Sequence, residues 1–171
     1  MRLFLGIIVV LIVSACAAPP VQDGFVSCWR LTRMSQCITV PLADQSADRE
    51  AKQFIVPSNG KAQLYLARPY TQEPRRKTDV FLDGQRVAEL APLTYIVLDV
   101  LPGKHRLKVQ TNDEIATLDI DVSENSIYYV QHQIDLLFNT VSARLKVVQE
   151  GDAQARILAT KRAITFAQRE N

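Results

Sequence analysis

The sequence predicts a mainly β protein, an antiparallel β-sandwich of about seven to eight strands with a C-terminal α-helix. Between residues 57 and 150, apolar and polar residues alternate along short stretches, as in strands that bury one face. Turn sequences such as Asp83-Gly84, Pro102-Gly103 and Glu124-Asn125 separate these stretches. After residue 150 the apolar residues recur at the spacing of a helix.

Eight stretches carry the strand pattern: residues 61–67, 80–82, 87–91, 94–100, 105–110, 116–122, 127–134 and 141–147. Short strands at this spacing are typical of a sandwich. The Asp83-Gly84 pair predicts a tight hairpin, because both positions of such a turn favour a positive φ angle.

The C-terminal helix is predicted over residues 151–171, with Gly151-Asp152 as its start. One face would carry Ala153, Ile157, Thr160 and Ile164. We expect this helix to cover an open edge or face of the sandwich. A helix that docks on a partner or on the membrane is the alternative.

The N-terminal residues 1–15 are typical of an export signal. Arg2 precedes a short apolar run, residues 3–13, whereas a membrane-spanning helix needs about 20 apolar residues. Residues 13–16, Val-Ser-Ala-Cys, resemble the lipobox of bacterial lipoproteins, in which the cysteine sulfur receives a diacylglyceryl group and the freed amine an acyl chain. The resemblance implies that Cys16 is lipidated and anchors the protein to a membrane.

The residue after the cysteine indicates which membrane. In enteric-type bacteria aspartate there favours the inner membrane, and this chain has Ala17. The resemblance therefore implies an outer-membrane lipoprotein with its domain in the periplasm; inner-membrane anchoring is the alternative. Residues 16–27 contain Pro19-Pro20 and are predicted to form a linker that spans about 30 Å.

The cysteine count fits this location. Lipidation of Cys16 leaves Cys28 and Cys37, and a disulfide between them is predicted in an oxidising compartment. It would tie a lead-in segment, residues 28–56, that ends in a short helix near residues 47–54. Two buried free thiols are the alternative. The spacing of the cysteines fits no zinc pattern, so no metal or other cofactor is predicted.

Charge and motifs exclude some classes of function. A net charge of +2 lacks the strongly basic character of a nucleic-acid-binding protein, so no nucleic-acid partner is expected. No nucleophile elbow, phosphate-binding glycine loop or HExxH helix is present.

The candidate catalytic side chains are few. His105 and His132 fall on strands, where a partly exposed structural histidine is the common case. Carboxylates that could form catalytic pairs are Asp99, Asp119, Asp121 and Asp135. We therefore predict a protein that is not an enzyme.

One stretch stands out as a possible contact surface. Residues 68–77, RPYTQEPRRK, are too rich in proline for a regular strand and predict a long loop between two strands. The residues that could contact a partner are Arg68, Tyr70, Arg75, Arg76 and Lys77. The ordinary interpretation is a solvated charged loop. The functional interpretation is contact with anionic envelope material or with an acidic protein.

The order of these motifs resembles one family. The residues that carry the resemblance are GKA at 60–62, LYLAR at 64–68, VFLDG at 80–84, TY at 94–95, PGKH at 102–105 and YYV at 128–130. They are similar to small bacterial lipoproteins grouped as domain of unknown function 2846, over about residues 50–135. The resemblance implies a fold and a location, and it adds no catalytic residues.

Taken together, these features predict a lipid-anchored binding or assembly module of the cell envelope. Two other classes stay open. The protein could be a small envelope enzyme that acts on a cell-wall or lipid substrate, or a structural or stress-linked lipoprotein.

Overall fold

The computed structural model describes Ile38, residues 40–138 and residues 140–168. Within them lie nine strands in two sheets and two α-helices, so the predicted mainly β class is confirmed. The helices are α1 (Gln45–Ala51) and α2 (Glu150–Leu158). The strands are β1 (Ala62–Arg68), β2 (Thr78–Leu82), β3 (Gln85–Leu90), β4 (Thr94–Val100), β5 (Gly103–Gln110), β6 (Ile115–Val122), β7 (Ile127–Leu137), β8 (Thr140–Val147) and β9 (Lys161–Arg162).

The strands form a five-stranded sheet of order β8-β7-β1-β4-β9 and a four-stranded sheet of order β3-β2-β5-β6. All pairs in the four-stranded sheet are antiparallel, as predicted. The five-stranded sheet is mixed, because β1 runs parallel to β7 and β4 runs parallel to β9. Alternation within a strand specifies which side chains are buried, but it does not specify the neighbouring strand or its direction.

The predicted turn between β2 and β3 is present. Asp83 and Gly84 have φ angles of 50° and 84°, the left-handed conformation that a two-residue hairpin turn requires.

The main core lies between the two sheets. Alternate residues of the strands point inward, and most of them are aliphatic. Its fully buried members include Leu64, Leu66, Val80, Leu90, Ile96, Leu107 and Val109. Burial of one such side chain stabilises the fold by about 1.5–3 kcal/mol relative to leaving it in water.

The outer face of the five-stranded sheet is also buried. Tyr65, Tyr95 and Tyr129 form a second cluster there with Ala153 and Ile157 of α2. The rings of Tyr65 and Tyr95 are stacked with centroids 6.2 Å apart. Strand β4 is thus covered on both faces, which explains why its sequence is a nearly continuous apolar run.

Helix α1 is fixed to this face by a buried carboxylate. Asp48 Oδ1 accepts hydrogen bonds from the Tyr95 hydroxyl at 3.0 Å and from the backbone N–H of Arg162 at 2.9 Å. Its other oxygen accepts one from Lys52 Nζ at 2.9 Å. Asp44 caps the N-terminus of the helix, because its side chain accepts a hydrogen bond from the N–H of Ala47 at 2.7 Å.

The C-terminal helix is shorter than predicted. It begins at Glu150 rather than Asp152 and ends at Leu158, not at residue 171. The Thr160 hydroxyl donates to the carbonyl of Ile157, and the Lys161 N–H donates to the carbonyl of Leu93. Backbone pairing with the edge of β4 therefore replaces helical hydrogen bonds, and the chain continues as β9 and a 3-10 helix (Phe166–Gln168).

Several predictions concern residues outside the described part of the chain. These are the export signal at residues 1–15, lipidation of Cys16, the linker at residues 16–27 and the disulfide between Cys28 and Cys37. They stay predictions. Neither of the two described α-helices is long and apolar enough to cross a membrane.

Candidate functional site

The predicted contact loop connects the two sheets at one end of the sandwich. Arg68 ends β1, residues 69–77 form the loop, and Thr78 begins β2 in the other sheet. The β5–β6 turn lies at the same end, because Asp79 pairs with Gln110 and Gln110 pairs with Ile115. We call this end the loop end. It comprises residues 69–77, residues 111–115, and the β7–β8 hairpin beyond the Gln131–Lys146 pair, residues 132–138 and 140–145.

Arg68 supports this loop from inside. Its side chain is 1% exposed, so the prediction that it contacts a partner at the surface is wrong. The guanidinium donates hydrogen bonds to the carbonyls of Gln72 and Glu73, both at 2.8 Å, and of Arg76 at 2.5 Å. Burial lowers the pKa of Arg68 to about 10, and the group still carries its charge at neutral pH.

Two of the other basic residues are paired within the fold. Arg76 Nε donates to Glu73 at 2.9 Å, and its Nη1 donates to Asp113 in the β5–β6 turn. These hydrogen bonds raise the pKa of Arg76, the bond to Asp113 most. Lys77 Nζ donates to Glu89 of β3 at 3.1 Å. These side chains therefore fasten the loop to the β5–β6 turn and to β3.

Tyr70 and Arg75 complete the predicted set. The Tyr70 hydroxyl accepts a hydrogen bond from Arg156 Nη1 of α2 at 2.5 Å, which fastens the loop to the outer face. Arg75 is exposed, and its side chain has no partner among the described residues. Of the five predicted contact residues, Arg75 is the one that offers an open charge to another molecule.

Below the loop lies His132, which the sequence predicted to be partly exposed and which is fully buried. Its Nε2 is 3.1 Å from the Thr78 hydroxyl, and its Nδ1 is 3.3 Å from the Arg144 carbonyl. Because a carbonyl only accepts, Nδ1 carries a proton. Burial and the charge of Arg68 lower the pKa of His132 to about 4, so the ring is neutral at neutral pH and its Nε2 accepts from the Thr78 hydroxyl.

The neighbouring residue, Gln131, was not singled out by its sequence. Its side chain is buried, and neither carboxamide atom has a partner among the described atoms. It lines a cavity of about 10 Å³ beneath α2 together with Ala67, Tyr129 and Ile157.

A second polar site lies at the opposite end of the sandwich. His105 Nδ1 donates to Asp83 Oδ2 at 2.6 Å, and its Nε2 donates to the Leu101 carbonyl at 2.7 Å. Both partners only accept, so the ring carries both protons. The hydrogen bond to Asp83 raises the pKa of His105. This imidazolium joins the β4–β5 turn to the β2–β3 hairpin.

Two of the carboxylates around His105, Asp83 and Asp119, have hydrogen-bond partners within the fold. They border an open cavity of about 590 Å³. Arg106 binds both oxygens of Asp119 at 2.7 and 3.0 Å, so Asp119 pairs with a base rather than with another carboxylate. On β7 and β8, Asp135 accepts a hydrogen bond from Arg144 through one oxygen and from Gln133 through the other. Among the described residues, no three His, Cys, Asp or Glu side chains cluster in a way that could hold a metal ion.

The chain belongs to the family described as "Protein of unknown function (DUF2846)", whose family model matches residues 58–144. This match includes β1 to β7 and part of β8, and it confirms the resemblance seen in the sequence. The chain is also similar to an "Uncharacterized protein" of Haemophilus influenzae (strain ATCC 51907 / DSM 11121 / KW20 / Rd). The two are 24% identical over 132 residues, which cover 77% of this chain and 79% of that protein.

Replacement of Arg68 tests its role in the loop. Arg68→Met leaves three carbonyls without their donors, and we expect it to lower the free energy of unfolding by about 3 kcal/mol. Arg68→Lys retains the charge but cannot reach all three carbonyls, so a smaller loss is expected. Urea unfolding followed by circular dichroism measures both. Arg75→Met is the matched control and should change stability by less than about 0.5 kcal/mol; an equal loss in the control would contradict this role.

Burial of neutral His132 makes stability depend on pH. The pKa falls from 6.5 in the unfolded chain to about 4 in the fold, so the stabilisation is complete above pH 6.5. It is lost as the pH falls towards 4, and the total loss is about 3 kcal/mol. We expect His132→Gln to flatten the stability profile between pH 6.5 and 4.5 relative to the original chain, because the carboxylates contribute equally to both profiles. Urea midpoints across this range provide the measurement, and an unchanged slope would refute the assignment.

Proposed function

We propose that this protein is a lipid-anchored outer-membrane lipoprotein whose periplasmic domain is a non-catalytic binding or assembly module. The lipobox-like residues 13–16, preceded by a short apolar run, support the anchor. The observation that carries the binding role is the internal support of the loop at residues 69–77 by Arg68.

A supported loop favours binding. Three carbonyls of the loop are held by one buried guanidinium, and Arg76, Lys77 and Tyr70 fasten the loop to three other elements. Because its conformation is fixed before contact, little ordering entropy is lost on binding. Arg75 projects from this rigid support and suits an anionic component of the envelope or an acidic protein.

The proposal that the protein is not an enzyme rests on the hydrogen bonds of its histidines and of three aspartates. His105 and His132, the two histidines of the chain, have hydrogen-bond partners at both ring nitrogens. Neither histidine offers a free nitrogen for proton transfer to a substrate. Asp83, Asp119 and Asp135 accept from histidine or arginine, which is typical of structural ion pairs.

The disulfide between Cys28 and Cys37 belongs to the same proposal. Ile38, which follows Cys37, donates its backbone N–H to the Pro74 carbonyl at 2.9 Å. A bridge at Cys37 would therefore restrain the chain directly beside the loop, and the periplasm is oxidising enough to maintain it.

Serine at position 16 tests the anchor. Cys16→Ser removes the sulfur that would be acylated, so the chain should lose its lipid mass and leave the membrane fraction. Mass spectrometry and membrane fractionation of cells that express the full chain measure both. Cys28→Ser is the matched control, because it removes a thiol but leaves Cys16 in place. A Cys16→Ser chain that still carries acyl groups would contradict the anchor.

Charge reversal at position 75 tests the binding surface. Arg75→Glu should weaken capture of the envelope partner by roughly fivefold, about the contribution of one exposed charge pair. The yield of the complex after crosslinking in cells is the measurement. Arg49→Glu, an equal charge change at an exposed position of α1, should leave the yield unchanged. Equal yields for both variants and the original chain would exclude Arg75 as a contact.

A further inference from the structure

Both ends of the sandwich expose large apolar side chains. At the loop end, Phe138 is 94% exposed, Ile115 58% and Leu136 55%. At the opposite end, Leu101 in the β4–β5 turn is 65% exposed. The apolar surface alone therefore does not determine which end faces another structure.

The path of the N-terminal chain distinguishes the two ends. The backbone N–H of Ile38 donates to the Pro74 carbonyl, and the Ile38 side chain packs against the core between the sheets. The segment that leads from Cys16 is thus attached to the domain beside the loop. Twenty-one residues, 17–37, lie between Cys16 and Ile38. A lipid anchor at Cys16 would therefore hold the domain through a short connection that joins it at the loop end, and this favours the loop end over the opposite end as the part that meets the membrane.

The chemistry of the loop end suits a bilayer surface. Aromatic and aliphatic side chains that project from a rigid support can enter the boundary between headgroups and acyl chains. Most charges beside them are internally paired, as in Arg76 with Asp113 and Arg144 with Asp135. Arg75 has an open guanidinium for lipid phosphates, whereas Glu114 in the β5–β6 turn opposes it. Apolar insertion should therefore supply most of the attraction.

We propose that the loop end docks on the membrane that bears the anchor, with Phe138, Leu136 and Ile115 in the interfacial layer and Arg75 at the phosphates. This inference rests on the proposed lipid anchor at Cys16. The anchor supplies a high local concentration of bilayer, so a contact too weak to hold a free protein is populated. Docking would fix the orientation of the domain and direct the His105 end towards the periplasm.

Tryptophan fluorescence compares the two ends directly. Two variants of the full, lipidated chain share the change Trp29→Phe and differ in one further change, Phe138→Trp or Leu101→Trp. Each is reconstituted into vesicles of phosphatidylethanolamine and phosphatidylglycerol, with and without brominated acyl chains as quenchers. We expect at least twofold quenching and a shift to shorter wavelength for Phe138→Trp, and neither effect for Leu101→Trp. Equal quenching of the two variants, or quenching at position 101 alone, would overturn the proposal.

Separate measurements on the same samples test the anchor. Mass spectrometry reports the acyl chains on Cys16, and sedimentation with vesicles reports attachment. An attached chain whose fluorophore at position 138 is unquenched overturns docking and leaves the anchor intact. A chain without acyl mass overturns the anchor and the docking that rests on it. Shielding of position 138 in native envelope membranes but not in pure lipid vesicles would indicate a protein at this surface and would also overturn membrane docking.

Discussion

The loop end of this protein depends on one buried charge. Arg68 lies at the end of β1, no carboxylate of the described residues is bonded to it, and three backbone carbonyls of the following loop solvate it instead. A buried charge is tolerated only when hydrogen bonds replace its water, so the loop must keep the conformation that presents these carbonyls. Burial disfavours a proton on His132 and the charge of Arg68 adds to this effect, so the ring is able to accept from Thr78. Arg68 thus acts on the loop and also on the histidine that bonds the start of β2.

Much of the fold could be predicted because strand alternation is a local property. The run at residues 94–100 corresponds to β4 in full, and the Asp83-Gly84 turn has the predicted backbone conformation. The parallel pairing of β1 with β7 could not be predicted, since more than fifty residues separate these strands and alternation does not identify partners. The helix prediction extended too far for a related reason. Residues 160–164 continue a helical pattern, but the edge of β4 offers backbone hydrogen bonds that a single sequence does not show.

The candidate site was predicted only in part. Proline and charge in residues 68–77 correctly indicated a loop, but the charge of a residue does not say whether its partner is solvent, another molecule or the chain itself. Arg68, Arg76 and Lys77 contact the chain itself, and the open position is Arg75. Local pattern could not identify the burial of His132, because that burial results from the packing of β7 against the start of β2 in the other sheet. The sequence did not single out Gln131, because a sequence pattern does not show that a carboxamide is buried without a hydrogen-bond partner among the described residues.

The two residues of β9 have a consequence beyond the length of the C-terminal helix. Without them, the outer edge of β4 would present unpaired backbone groups along part of the most apolar strand of the sheet. Such an edge is a template for pairing with a second chain, and natural sheets shield it with short strands and lysine or arginine. Lys161 and Arg162 supply both devices. The segment after α2 thus contributes to solubility as well as to folding, by preventing the sheet from growing between molecules.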